Sequence, residues 1–294
     1  MAPDHLKRKK MNRLIDLHTH TTASDGIFKP AELIQIAHES GIAIIAIADH
    51  DSTAGIDEAV STAHPLGITV IPAVELSVAY KDYHDVHLLG YWINHHDEVF
   101  SKKLELFRER RETRGLRIIE RINDKLSSEG RSAINSEDVL ALADGALGRP
   151  HIARVLMDHG YAQSMHDAFA NYLQPCNVPK EYFNFDDALG EIKRIGGIAV
   201  LAHPQSITRN RTELETIIKD MAVKGLDGIE AFNTMGLEDD ESFLRSLASK
   251  LGLLITGGSD YHGNEEGLAL GRGRGNLYLT TELVTPLLVR KEIS

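Results

Sequence analysis

Short apolar runs alternate with amphipathic stretches along most of the chain. The runs are continuous rather than alternating, which is typical of strands buried on both faces. The first amphipathic stretch has Pro30 at its first helical position and Gly41 just beyond its last, the usual signals for a helix start and stop. Strands that alternate with helices predict βαβ units and a parallel sheet. The strand-like runs are at 14–17, 42–48 and 68–74, and the helical stretches between them at 30–40 and 53–64.

The rhythm changes after a further strand-like run at 86–93. Residues 97–181 are mostly helical in pattern, and the strand–helix alternation then returns and ends in a run near 276–279. We therefore predict an α/β fold, a closed or nearly closed (β/α) barrel of about seven parallel strands. The predicted division of the chain is a flexible tail at 1–12, a barrel at 13–96 and 182–294, and a helical insertion at 97–181.

The composition limits the partners and the kinds of metal ligand that are expected. The 294 residues carry a formal net charge of −11, which argues against a stable complex with long nucleic acid but not against action on a nucleotide. The chain has 15 histidines and one cysteine, Cys176, so a metal site would use imidazole and carboxylate ligands. A lone cysteine forms no internal disulfide, which favours a reducing compartment, the cytoplasm. No apolar run is long enough for a membrane span, so no membrane partner is expected.

Histidine and acidic residues occur at or beside the ends of these strand-like runs, where barrel enzymes carry their functional groups. His18 and His20 are two residues apart, so the strand period of two points both imidazoles the same way. Asp260 and His262 have the same spacing. Glu75 offers two oxygens, which could bridge two cations. The residues in this pattern are Asp16, His18, His20, Asp49, His50, Asp51, Glu75, His87, His203, Glu230, Asn233, Asp260 and His262.

Taken together, these motifs resemble those of the polymerase-and-histidinol-phosphatase (PHP) family. The resemblance implies a distorted (β/α)7 barrel with two or three divalent metal ions, manganese, iron or zinc. It rests on Asp16-Leu17-His18-Thr19-His20, Ser24-Asp25-Gly26, Ala48-Asp49-His50-Asp51, Glu75, His203-Pro204 and Ser259-Asp260-Tyr261-His262.

The resemblance also implies a ligand set. One metal would take His18, His20, Glu75 and Asp260. A second would share Glu75 and take His87 and His203, and a third would take Asp25, His50 and His262. Glu75 and Asp260 would then lie at the reacting centre.

Three further stretches resemble the bacterial members that act on nucleoside 3′,5′-bisphosphates or AMP, or that trim short RNA from its 5′ end. They are Glu75-Leu76-Ser77, the run 86–91, and Gly148-Arg149-Pro150-His151-Ile152-Ala153. The expected activity is metal-dependent hydrolysis of a nucleotide phosphate ester, with a nucleotide or short RNA as the substrate partner. The expected substrate contacts are Arg149, His151, Ser77, Asn233 and Arg114. His151 is also a catalytic candidate, and protonation of the leaving oxygen stays open among His151, His84 and Asp51.

Three alternatives are weighed against this expectation. A histidinol-phosphate phosphatase would share the barrel, but the sequence resembles that subfamily less well. A metal-dependent amidohydrolase also uses a His-x-His pair, yet no lysine stands where its bridging lysine is expected. A PHP barrel retained only as a scaffold should have lost ligands, and none is missing here. The sequence makes no prediction of oligomeric state.

Overall fold

The computed structural model describes residues 13–142 and 147–293, so the predicted tail at 1–12 lies outside the described residues. Within them, the continuous apolar runs form strands and the amphipathic stretches form helices. The strands are β1 (Leu14–Thr19), β2 (Ile42–Ile47), β3 (Thr69–Tyr80), β4 (Tyr83–Tyr91), β5 (Phe183–Asn184), β6 (Ile198–Leu201), β7 (Gly228–Phe232) and β8 (Leu254–Gly257).

The strands form one sheet in the order β1-β2-β3-β4-β6-β7-β8, with the short β5 paired to β3. The two ends of the sheet meet, because the His20 amide donates to the Tyr261 carbonyl at 2.9 Å and the Asp260 amide to the His18 carbonyl at 3.0 Å. The expected distorted (β/α)7 barrel is therefore confirmed.

Two details of the predicted sheet are wrong. β4 is antiparallel to both β3 and β6, not parallel. Only Lys81 and Asp82 separate β3 from β4, and so short a link permits a hairpin but no parallel crossover. The run 276–279 is not a strand, because it follows a series of turns and only its end reaches β1, where the Ile15 amide donates to the Leu279 carbonyl at 3.0 Å.

The helices surround the barrel and build the insertion. The first helix begins at Pro30, as the sequence predicts, and Asp97 caps the longest one by accepting the Phe100 amide at 2.8 Å. No helix in the described part of the chain is both long and apolar enough to cross a membrane. The helices are α1 (Pro30–Glu39), α2 (Ile56–Leu66), α3 (Glu98–Ser128), α4 (Ser136–Leu142), α5 (Arg149–Asp158), α6 (Met165–Ala168), α7 (Phe185–Arg194), α8 (Arg211–Lys224), α9 (Glu238–Leu251) and α10 (Val284–Ile293), and a π-helical turn (Phe169–Leu173) follows α6.

Helix α3 joins two apolar cores. Its first half packs Phe100 and Leu104 into the core between the barrel sheet and its helices. Its second half contributes Ile118 and Ile122 to a separate core formed with α5 and its neighbours. Burial of these apolar faces stabilises both halves. One rigid helix therefore spans from the barrel wall to the insertion.

Candidate active site

Glu75 lies at the centre of a cluster of histidines and carboxylates at one end of the barrel. It is fully buried. It lies in the middle of β3 and not at its end, because the hairpin with β4 extends β3 beyond the predicted run 68–74. Five imidazole nitrogens lie within 3.4 Å of its two carboxylate oxygens. They are His50 Nδ1 at 2.9 Å, His87 Nδ1 at 3.0 Å, His203 Nε2 at 3.1 Å, His18 Nε2 at 3.2 Å and His20 Nε2 at 3.4 Å.

Two further carboxylates complete the cluster. Asp260 Oδ1 lies 3.1 Å from His20 Nε2 and 3.5 Å from His18 Nε2. On the other side of His20, Asp25 Oδ1 lies 3.3 Å from His262 Nε2. The structure thus brings together all of the metal ligands predicted from the sequence. Within this cluster, possible ligand atoms that lie within 4.8 Å of one another form three sets: His18, His20, Glu75 and Asp260; His20, Asp25, His50 and His262; and His50, Glu75 and His87.

Five buried atoms in this cluster make no hydrogen bond, although buried polar atoms almost always make one. Where a neighbouring nitrogen or oxygen lies within 3.5 Å, as His50 Nδ1 does of Glu75 Oε2, the angle does not suit a hydrogen bond. Each is a nitrogen or oxygen that offers a lone pair when deprotonated, and each faces other atoms of the same kind. A mixed imidazole and carboxylate set at this spacing suits divalent manganese, iron or zinc. The residues present therefore fit a divalent metal centre. The five atoms are His18 Nε2, His20 Nδ1, Asp25 Oδ1, His50 Nδ1 and Glu75 Oε2.

The charges of the cluster favour ionised carboxylates. Burial by itself would raise the pKa of Glu75, but the imidazoles of His18, His50 and His87 hold it well below its usual range. Burial, with His262 beside it, lowers the pKa of His20 to about 3. Glu75 is therefore an anion, and the His20 imidazole is neutral, at physiological pH.

Glu230 supports the cluster from behind. His18 Nδ1–H donates to its Oε1 at 3.1 Å, and the His203 amide donates to its Oε2 at 2.8 Å. The first bond turns His18 Nε2 towards Glu75, the arrangement that fixes the tautomer of metal-binding histidines. The sequence places Glu230 at a strand end but gives it no role. The one sequence feature that could have indicated a role is that Glu230 is an acidic residue inside the apolar strand β7.

Asp16 and Asp49 brace the loops that carry the ligands. Asp16 accepts the amide and hydroxyl of Ser259 at 2.9 and 2.6 Å, next to Asp260 in the chain. Asp49 accepts the amide and hydroxyl of Thr21, both at 2.7 Å, just after His20. These two acids of the sequence motifs therefore hold backbone in place rather than face the cluster.

The backbone at the cluster is strained. His203 and Asp260 have φ values of 23° and 57°, in a region that side-chain-bearing residues rarely adopt. Such conformations concentrate at functional sites, where the surrounding structure holds them. Gly258 is also required, since a Cβ there would lie 2.1 Å from the His18 Cβ.

A cavity opens directly onto the cluster, between the barrel and the insertion. Its floor is formed by Asp25, His50 and His87, and its far wall is rich in cationic side chains. The positive charge that the composition lacks is thus concentrated here. The wall residues are Arg111, Arg114, Leu147, Gly148, Arg149, Pro150, Phe169 and Lys180.

Comparison with known proteins agrees with this architecture. The family described as PHP domain matches residues 16–174, which carry the cluster residues from His18 to His87 and most of the insertion. The chain belongs to the PHP domain family. The resemblance inferred from the sequence motifs is therefore confirmed.

Similar proteins cover most of the chain. A 5′-3′ exoribonuclease of Haemophilus influenzae is 34% identical over 86% of this chain and 91% of its own. A 3′,5′-nucleoside bisphosphate phosphatase of Chromobacterium violaceum is 33% identical over 86% of this chain and 88% of its own. A Bifidobacterium adolescentis structure assigned as a metal-dependent phosphoesterase superposes with a TM-score of 0.81 at 31% identity, covering 94% and 95% of the two chains. A Chromobacterium violaceum structure described as an amidohydrolase with bound sulfate has a TM-score of 0.80 at 30% identity, covering 95% and 96%.

In this PHP protein the predicted substrate contacts divide into two groups. Arg149 and Arg114 line the cavity, and Ser77 lies beside it, where its Oγ accepts from Lys180 at 2.9 Å. Asn233 is elsewhere: it is buried, and its side-chain amide donates to the Gln205 side chain at 3.1 Å. Asn233 therefore organises the loop after β7, where its Oδ1 accepts the Met235 and Gly236 amides, and it lines a cavity whose walls include none of the cluster residues.

The arginines of α3 divide between the protein surface and the cavity. Arg110 pairs with Glu181 at 2.6 Å, and both side chains are exposed. Arg111 lines the cavity instead and lies 3.3 Å from Asp51. Arg114 also donates to the Val178 carbonyl at 2.7 Å, so it ties α3 to the end of the insertion.

His151 is placed with a defined tautomer. The Gly148 amide donates to its Nδ1 at 3.0 Å, so its proton is on Nε2. Burial lowers the pKa of His151, and this imidazole is neutral. It lines a second cavity that shares Asp25 and Pro150 with the cationic one. A neutral N–H donor beside Asp25 suits a hydrogen bond to a phosphate oxygen.

Proposed function

We propose that this PHP protein is a metal-dependent phosphoesterase that hydrolyses phosphate esters of nucleotides: nucleoside 3′,5′-bisphosphates, AMP, or the 5′ end of short RNA. The observation that carries the proposal is the set of buried, unpartnered ligand atoms around Glu75, directly beside a cationic cavity. The names of the relatives, an exoribonuclease and a bisphosphate phosphatase, support the same substrate class.

Two or three divalent cations are proposed for the cluster. His18, His20, Glu75 and Asp260 would hold one, Glu75 with His87 and His203 a second, and Asp25, His50 and His262 a third. Bound divalent cations would supply activation of a water and neutralisation of charge on the phosphate.

The chain's own residues bind and orient the ester. Arg149 stacks on Phe169, with its guanidinium carbon 5.5 Å from the ring centre, so its fork is held at the cavity wall for a two-point contact with phosphate. Lys180 reaches the same cavity from the exit of the insertion. Nε2–H of His151 donates to a non-bridging oxygen. Hydrolysis adds a water oxygen to phosphorus, breaks the bond from phosphorus to the sugar oxygen, and leaves the proton on that oxygen.

The test is hydrolysis of adenosine 3′,5′-bisphosphate (pAp), AMP and a 5′-phosphorylated RNA oligomer with manganese, zinc or ferrous iron added to chelator-treated protein. We expect turnover of at least one of these esters, its loss on chelation and its loss in Glu75→Gln. His38→Ala, which changes an exposed histidine of α1, serves as the matched control and keeps wild-type turnover. Hydrolysis of an amide panel without hydrolysis of any phosphate ester would overturn the proposal.

A further inference from the structure

A stacked aromatic pair lies at the surface beside the cationic cavity. The rings of His84 and Tyr182 are 5.6 Å apart between centroids and nearly parallel, at 11°. His84 is exposed at the start of β4, and Tyr182 directly precedes β5. Neither ring belongs to the metal centre or to the apolar cores.

Lys180 connects this pair to the metal centre. Its ammonium lies 5.0 Å from the centre of the Tyr182 ring and 2.9 Å from Ser77 Oγ. Ser77 is the partner of His87 in the β3–β4 ladder, and His87 lies 3.0 Å from Glu75. Lys180 therefore lies between the cluster around Glu75 and the stacked rings of His84 and Tyr182.

The charge changes sign beyond the pair. The groove on the other side of Tyr182 is lined by Asp186, Asp187 and Glu191, together with Lys103, which is paired with Glu191 at 2.6 Å. A phosphate entering this groove meets net negative charge. The acidic groove beyond the pair is therefore unfavourable for a further phosphate.

We infer that His84 and Tyr182 form a stacking platform for the base of the second nucleotide of a short 5′-phosphorylated RNA, with the exposed face of His84 against the base and Tyr182 behind it. Aromatic rings next to a cation are the usual elements of single-strand binding, and they accept every base because every base has a π-face. The inference rests on the proposed function and adds to it a preference for a dinucleotide over a mononucleotide. A third nucleotide would gain nothing.

The kinetic test compares pAp with 5′-phosphorylated ApA (pApA), with pApA lacking its second base, and with pApApA. The wild type should prefer pApA to the form without the second base by roughly tenfold in kcat/KM, the size usual for one stacked base. Tyr182→Ala and His84→Ala should each reduce the ratio of kcat/KM for pApA to that for pAp, and Tyr182→Phe should restore it. pApApA should be no better than pApA.

Matched controls are available on the same chain. His38 is exposed on α1, and Tyr278 is 67% exposed and lies next to Leu279, which contacts the amino end of β1. His38→Ala and Tyr278→Ala should leave the pApA to pAp ratio unchanged. Any fall in these controls equal to that of the platform variants would contradict the assignment.

A binding measurement separates this inference from the proposed function. Calorimetry with a pApA analogue whose internucleotide linkage resists hydrolysis should show roughly tenfold weaker binding when the second base is removed, and the difference should vanish in Tyr182→Ala. Equal binding with and without the second base would overturn the platform whether or not the protein turns over any ester. Binding that depends on the second base without hydrolysis of any ester would keep the platform and overturn the phosphoesterase.

Discussion

The proposed metal centre and the cationic wall of the cavity are built in opposite ways. The centre uses short side chains on strands and strand-end loops, buried and aimed at one another around Glu75. The wall uses long side chains on helices and connections of the insertion, each attached to nearby protein groups, such as Arg114 to Val178. Rigid placement suits the groups next to the reacting atoms. The cationic side chains lie largely on the insertion, which has its own core, so their positions can adjust to the substrate.

The supports of the two regions differ accordingly. Glu230, Asp16 and Asp49 fix the ligands through hydrogen bonds inside the barrel. The wall depends on the insertion core, where Leu147 packs so closely on Gly115 of α3 that a Cβ there would lie 2.2 Å from a Leu147 methyl carbon. Changes in the centre should therefore alter turnover, and changes in the wall should alter substrate affinity.

The largest effect is expected in the centre itself. His203→Ala removes an imidazole 3.1 Å from Glu75. We expect kcat on the preferred ester to fall by about 10³-fold, because loss of metal-based stabilisation costs several kcal/mol of the barrier. Steady-state kinetics with saturating manganese measure this, and circular dichroism checks that the barrel is intact. A variant that folds and retains wild-type turnover would show that His203 is not a ligand.

A smaller effect is expected from Glu230, which contacts His18 and His203 but is not itself one of the proposed metal ligands. Glu230→Gln weakens the bonds that orient His18 and His203 but leaves every ligand in place. We expect metal affinity to fall by roughly 10–100-fold, the usual consequence of losing such a partner. Calorimetric manganese titration gives the affinity, and excess manganese should restore turnover. If excess metal fails to restore turnover, Glu230 has a role other than ligand orientation.

The wall should respond in KM rather than kcat. Arg149→Ala removes a guanidinium that lines the cavity, and a charge-assisted hydrogen bond to phosphate corresponds to about tenfold or more in affinity. We expect KM to rise by about that factor and kcat to change by only a few-fold. Arg149→Lys should recover part of the loss, because it keeps the charge without the two-point contact. A fall in kcat with KM unchanged would place Arg149 in the transition state instead.

The smallest effect on turnover is expected from the insertion core. Ile122→Ala leaves a cavity beside fully buried neighbours and should destabilise the insertion by about 2–5 kcal/mol. Hydrogen exchange should increase in the second half of α3 and in α5, while metal content stays unchanged. Loss of bound metal in this variant would show that the proposed metal centre depends on the insertion core for its structure.

Much of the fold follows from the sequence, because continuous apolar runs and helix-end signals are local. The direction of β4 was also within reach, since a link of two residues after β3 excludes a parallel crossover. The strand predicted at 276–279 does not form, because its apolar residues, Leu277 and Leu279, are buried by turns rather than by a strand ladder.

Part of the candidate site can also be predicted from local sequence, and part depends on the tertiary structure. Histidines two residues apart on a strand and acids at strand ends are visible in the sequence, and the structure gathers them around Glu75. The role of Glu230 depends on which neighbouring strand carries His203, and this is a matter of sheet order. Whether Arg110 or Arg111 faces the cavity depends on the rotation of α3, which is set by the packing of Phe100 and Leu104. Neither fact is local in sequence.

The most direct test of the metal centre is anomalous diffraction from crystals of the protein grown with manganese. We expect at least two anomalous peaks beside the Glu75 carboxylate and the histidines that surround it. Crystals of Glu75→Gln should lose at least one of these peaks. Absence of any peak at Glu75 in the wild type, under conditions where the protein hydrolyses a phosphate ester, would contradict the account.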